Sequence, residues 1–170
     1  ILISRGLIEC ANSEDALAAV LAHEISHIQL QHSLHAIKTS RVTDAITKTT
    51  FAAATVLSEG EFKEFTDAFG DAVDDIVAEM VDSGYSKSQE FDADSNALKI
   101  MAAAGYNPKA MNDMLLVLEE NTDTQEGWGK THPTPKKRMD NLKKQYDKYT
   151  VTDTTESRTA RFLAVMSNFN

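Results

Sequence analysis

The sequence predicts a mainly helical (α+β) fold in a single domain over residues 1–170. Three observations carry that expectation. Ala, Leu, Lys, Glu and Asp dominate the composition, a bias that favours helices. Seven Gly and three Pro are too few for a β-sandwich rich in turns. Apolar residues make up 42% of the chain, enough for a core at this length, and the clearest apolar runs recur at helical spacing.

The elements follow in order. "ILISRGLIECANS" reads as a short strand, then a turn, then a helix start. Asn12 or Ser13 can cap that helix, and Glu14 and Asp15 suit its positive end. Leu17, Val20, Leu21, Ile25 and Ile28 then keep helical spacing, so one amphipathic helix is expected to about His35. Residues 40–60 read as a further helix. The acid-dense stretch 61–84 places Phe62, Phe65, Phe69, Val73, Ile76, Val77 and Met80 at helical spacing, and its charge reads as a solvated face. "SKSQEFDADSNALKIMAAAGYNP" is a helix capped by Ser86 or Ser88 and stopped by Gly105, with Pro108 beyond. The next helix runs from about Pro108 through "KAMNDMLLVLEEN". "TDTQEGWGKTHPTP" is a loop. "KKRMDNLKKQYDKY" is a basic amphipathic helix, and "TESRTARFLAVMSNF" a short last one.

Charge and cysteine usage exclude several classes. The formal net charge of −9 argues against a general nucleic-acid binder. Cys10 is the only cysteine, so no internal disulfide can form. No apolar run reaches the length of a membrane span. The chain opens on Ile rather than Met, which reads as a fragment or a processed product with any upstream signal or anchor outside it.

The chemistry concentrates in "HEISH", residues 23–27. On a helix His23 and His27 lie about 40° apart around the axis and about 6 Å apart along it, so both imidazoles can reach one ion. Glu24 lies about 100° from His23, on the flank of that face. From there it can reach a water on the metal without being a ligand. This is the mechanical sense of H-E-x-x-H: two neutral nitrogens hold Zn²⁺ and the carboxylate takes a proton from water.

A catalytic zinc usually has a third protein ligand. The metzincin spacing is excluded, because Leu30 and Ser33 stand where that class needs Gly and His. On a continuous helix His32 lies about 140° from His27, and His35 about 12 Å further along, so both read as surface or packing histidines. A carboxylate from another helix remains. "QEFDAD" supplies Glu90, Asp92 and Asp94. Glu90 and Asp94 share a helix face, so one can bind metal while the other orients a ligating histidine. The same stretch is not an EF-hand, since Ala97 and Ala103 replace its Gly and Glu.

These stretches resemble the M48 peptidases, the zinc metallopeptidase family that includes HtpX-like and Ste24-like proteases. The matching segments are "ILISRGLIE", "SEDALAAVLAHEISHIQLQHS", "SQEFDADSNALKIMAAAGYNPKAM" and "THPTPKKRM", about half the chain and in the family's order. The resemblance implies a zincin-like gluzincin domain with a small N-terminal strand element. It implies one zinc per chain, held by His23, His27 and Glu90, with Glu24 as general base. It also implies Asp94 as the acid supporting a ligating histidine, His132 as a second catalytic residue that enters the cleft from a late loop to stabilise the oxyanion or gate the zinc, and Arg138 as a recurring basic residue. Protein or peptide substrates follow. Ser26 departs from the Gly often found there. Residues 40–85 lack the long apolar helices of the membrane members, so the chain looks like the soluble, lipoprotein-type members. That implies a bacterial cell envelope or periplasm and a part in envelope protein quality control.

Two rival readings stay in view. One is a zinc-binding chaperone-like or interaction module with little protease activity. The other is a closed structural zinc site, which usually draws on more Cys than Cys10 alone.

Overall fold

In the computed structural model the described residues are 1–39, 84–121, 133–149 and 155–168. Two compact units divide the chain: residues 1–30 with 86–170, and residues 31–85. The helices expected within 40–83, with their acidic face, and most of the loop from 122 to 135 lie outside the described residues.

The first unit is built from helices among its described residues. Helix α1 spans Arg5–Cys10, with the Ser4 hydroxyl accepting from the Leu7 N–H as its cap. No strand occurs among the described residues, and residues 1–4 carry no regular structure. The strand expected at "ILIS" is therefore not among them. A strand needs a partner to satisfy its backbone, and Ser4 instead turns the following residues into a helix.

Helix α2 spans Glu14–Gln29 and is capped by Ser13, whose hydroxyl accepts from the Ala16 N–H. It ends well before His35. Leu30 is its C-cap, and Gln31 takes the left-handed conformation at φ 55°. Glycine usually fills that role, so no residue at this point announced the stop.

In the second unit, helix α3 spans His32–Thr39. The His32 ring is buried and lies 5.8 Å from the ring of Tyr85, while His35 is exposed. That matches packing and surface histidines.

Helix α4 spans Lys87–Ala103 and begins in a capping box: the Ser86 hydroxyl accepts from the Gln89 N–H, and the Gln89 side chain accepts from the Ser86 N–H. It ends at Ala104. The Gly105 N–H donates to Ala102 O and the Tyr106 N–H to Met101 O. That pairing requires a left-handed residue between them, and Gly105 supplies it at φ 82°. Helix α5 spans Ala110–Asn121. Helix α6 spans Pro135–Leu142 with Pro135 in its first turn, where a missing N–H costs nothing. The expected basic helix is thus shorter than "KKRMDNLKKQYDKY", and a 3₁₀ turn follows at Tyr146–Lys148. Helix α7 spans Thr155–Met166.

Helix α2 packs most extensively on α4 and then on α5. The seam is made of small residues: Ala19, Ala22 and Ser26 of α2, with Ala93 and Ala97 of α4, are all buried. Small side chains let two helix axes approach closely. The same seam explains why Ser26 is accepted. Its hydroxyl donates to Ala22 O at 2.7 Å and accepts from Asn96 Nδ2 at 3.3 Å. Leu98, Met101, Met111, Leu115 and Leu142 complete the core around the seam.

Helix α7 is tied to the start of α2 by charge. Arg158 donates to Asp15 at 3.1 Å and to Gly105 O at 3.2 Å, and Asp15 also accepts from the Asn107 N–H at 3.2 Å. Both side chains of the pair are buried. Removing one partner of a buried pair leaves the other charge uncompensated. Arg158→Ala is therefore expected to lower unfolding stability by about 3–5 kcal/mol. Urea titration checks this; a loss under about 1 kcal/mol would give the pair only the worth of a surface bridge.

Candidate metal centre

Two helices supply the centre. His23 and His27 stand one turn apart on α2, and Glu90 and Asp94 one turn apart on α4. All four side chains are buried, Glu90 and Asp94 at 0% exposure. The close approach permitted by the small-residue seam brings the two pairs together.

The Nε2 atoms of His23 and His27 are 3.1 Å apart. Glu90 places Oε2 at 3.5 Å from His23 Nε2 and Oε1 at 3.3 Å from His27 Nε2. Ligands about 2.0–2.1 Å from a tetrahedral zinc would stand about 3.3–3.4 Å from one another. One atom from each of the three residues lies within 4.8 Å of the others, close enough for the three to share one ion. Two ring nitrogens and a carboxylate also suit zinc chemically. Among the described residues these three form the group that could hold a metal ion. Cys10 is not part of it, although it lines the adjoining cleft.

The other nitrogen of His23 is held from behind. Its Nδ1 lies 2.9 Å from Asp94 Oδ1. Arg138 grips Asp94 with Nε to Oδ2 at 2.8 Å and Nη2 to Oδ1 at 2.5 Å, a bidentate pair. Arg138 Nη2 also stands 3.2 Å from His23 Nδ1. A guanidinium can only donate, so the consistent assignment has Nδ1–H donating to Asp94 and Arg138 bonded to the carboxylate. That tautomer leaves the Nε2 lone pair facing His27 and Glu90.

Electrostatics agree with the geometry. Burial opposes protonation of His23, but its hydrogen bonds to Asp94 and Glu90 outweigh that and raise its pKa. Burial likewise pushes the Asp94 carboxyl up, and the bonds from Arg138 and His23 more than reverse this, so its pKa is lowered. Asp94 is thus a fixed anion behind the His23 ring. Asp94→Asn should weaken zinc affinity about 10–100-fold. Asp92 is exposed, and Asp92→Asn should change it little. Equal losses in a competitive zinc titration would mean the wrong face of α4 had been assigned to the metal.

Glu24 is half-buried and lines the cleft beside His23. His132 lies outside the described residues. The role of Arg138 could not be read from the chain alone. Of the basic run after Pro135, Arg138 is buried while Lys136 and Lys137 are exposed. The apolar wall of the cleft was also missed as a functional surface. Its signal is Met111, Met114, Leu115 and Leu118, a helical stripe that reads equally well as core.

A helix-borne H-E-x-x-H whose third donor comes from a second helix defines a metallopeptidase type of site. The comparisons with known proteins agree. The family described as Peptidase family M48 matches residues 1–146, and the chain belongs to that family. Mitochondrial metalloendopeptidase OMA1 of Schizosaccharomyces pombe is 30% identical over 146 residues, covering 82% of this chain and 39% of that protein. The Arabidopsis thaliana protein of the same name is 27% identical over 139 residues, covering 81% of this chain and 26% of that one. The chain thus spans well under half the length of these curated relatives. No solved structure matches the chain significantly. Both relatives are named as mitochondrial, which overturns the expectation of a bacterial envelope or periplasm. That expectation rests on the lack of long apolar helices in residues 40–85, a feature that does not specify a compartment. Among the described residues no helix is long and apolar enough to cross a membrane.

Proposed function

We propose that this chain carries the catalytic centre of a zinc-dependent endopeptidase of gluzincin type, with His23, His27 and Glu90 as the ligands. The observation that supports the reading most is the buried cluster of His23, His27 and Glu90 donors, with Glu24 in the cleft beside it. Zinc bound there would supply Lewis acidity and lower the pKa of a water toward neutrality. Glu24 accepts the proton as the water attacks the scissile carbonyl, then hands it to the departing amine. Asp94 and Arg138 hold His23 in one tautomer throughout. Protein and peptide chains are the substrates.

The test is hydrolysis of an unfolded protein such as casein by the purified chain. Activity should track zinc content, disappear after chelation and return with added zinc at about one ion per chain. Full zinc occupancy with no hydrolysis would overturn the peptidase reading and favour a zinc-binding interaction module.

A further inference from the structure

Helices α5 and α6 line a second cavity of about 520 Å³, which shares no lining residue with the cleft beside the donor cluster. Its volume falls within the ~300–1,000 Å³ range of small-molecule sites. Three lysines line it: Lys109 just before α5, Lys136 on α6, and Lys143 at the end of α6. Asn112 and Asp113 of α5 and Asp140 of α6 stand among them, and the Tyr146 ring, packed on the core, closes one wall.

The charges are not spent on one another. Lys136 and Asp140 stand four apart on α6, and Lys109 and Asp113 four apart at the start of α5. Opposite charges at that spacing commonly pair on a helix. Among the described residues no ion pair or side-chain hydrogen bond engages any of the three lysines or the two aspartates. The Tyr146 hydroxyl is likewise buried with no hydrogen-bond partner among the described residues. The setting is also unusual for this chain. Its net charge is −9, yet residues 136–148 hold six of its 17 basic residues against two acids. That concentration makes a local positive field.

Donors and acceptors together define the ligand. An ammonium can only donate and an ionised carboxylate can only accept. Three lysines and the Asn112 amide suit the oxygens of a phosphate, with charge-assisted bonds. Two aspartates in the same cavity would repel a run of phosphates, but they can accept from hydroxyl groups. We propose that this cavity binds a single phosphate group carried on a polyol, with Lys109, Lys136 and Lys143 around the phosphate and Asp113 and Asp140 bonded to hydroxyls. The ester can be a free molecule or the headgroup of a phospholipid. The site does not depend on the peptidase reading.

The zinc-loaded chain is titrated with glycerol 3-phosphate in a calorimeter. It should bind one molecule per chain, more tightly than it binds inorganic phosphate. Lys136→Met combined with Lys143→Met should weaken binding at least about tenfold, since each removes a charge-assisted hydrogen bond. Both lysines are exposed, so fold and zinc content should be unchanged. Lys137→Met combined with Lys144→Met removes the same charge from exposed positions outside the cavity and should weaken binding far less. Equal losses from the two pairs would reduce the site to general surface charge and overturn it. Asp113→Ala combined with Asp140→Ala should erase the preference for the ester over inorganic phosphate; no such preference in the parent would overturn the polyol assignment. Phosphate held by the zinc instead would survive the Lys136 and Lys143 changes and vanish in Glu90→Ala, which would also overturn the site. Flotation with phosphatidylcholine vesicles, with and without phosphatidic acid, separates the two sources. Binding that needs phosphatidic acid and both lysines, with no binding of the free ester, supports the site and assigns it to a lipid headgroup. No saturable binding of glycerol 3-phosphate or of the phosphatidic acid vesicles would overturn the proposal.

Discussion

Glu24→Gln leaves zinc content and fold unchanged and lowers hydrolysis about 100- to 10,000-fold, the usual worth of a general base. The substitution preserves size, so the half-buried position keeps its packing. Glu24 lies outside the group of residues that could hold a metal, so zinc should be held as tightly as before. What changes is proton chemistry. An amide oxygen still accepts a hydrogen bond from water but can neither take the proton nor carry it to the amine. Zinc analysis beside kcat on a casein-derived peptide separates the two effects. Residual activity near that of the parent would remove Glu24 from the mechanism. Joint loss of zinc and activity would make it a ligand or a structural residue instead.

The parts of the molecule that were legible in the sequence are those whose geometry is local. The spacing of His23 and His27, and of Glu90 and Asp94, is set by the helical period alone, so each pair could be placed before any fold was known. The caps at Ser13 and Ser86 and the stop at Gly105 are likewise local events, closed within a few residues. What failed depended on partners distant in sequence or on a missing signal. "ILIS" suits a strand, but a strand is a relationship between two segments, and Ser4 caps a helix instead. The end of α2 at Leu30 falls on a Gln in the left-handed region, where neither Gly nor Pro gave notice. The assignment of Arg138 to Asp94 spans 44 residues and follows from how α6 lies against α4. The stripe on α5 was visible as apolar, yet only the fold shows that part of it faces an open cleft.

Glu90→Ala should remove most of the bound zinc, with a loss of affinity larger than the ~10–100-fold expected when a residue supporting a ligand is lost. The carboxylate is the sole donor that α4 contributes to the cluster, and two imidazoles on one helix cannot hold three corners of a tetrahedron. Truncation also opens a void at a site of 0% exposure, so lost zinc could be blamed on lost packing. Two further measurements separate these causes. Glu90→Gln keeps the volume but not the anion, and should also bind zinc more weakly than the parent. Zinc stabilises only the chain that binds it, by about 2.7 kcal/mol when free metal stands at 100 times the dissociation constant. The parent should therefore show a clear rise in Tm on adding zinc, and both variants should show much less. A packing defect alone would lower Tm equally with and without zinc and leave that rise intact. Full zinc occupancy in Glu90→Ala would transfer the third ligand to another residue.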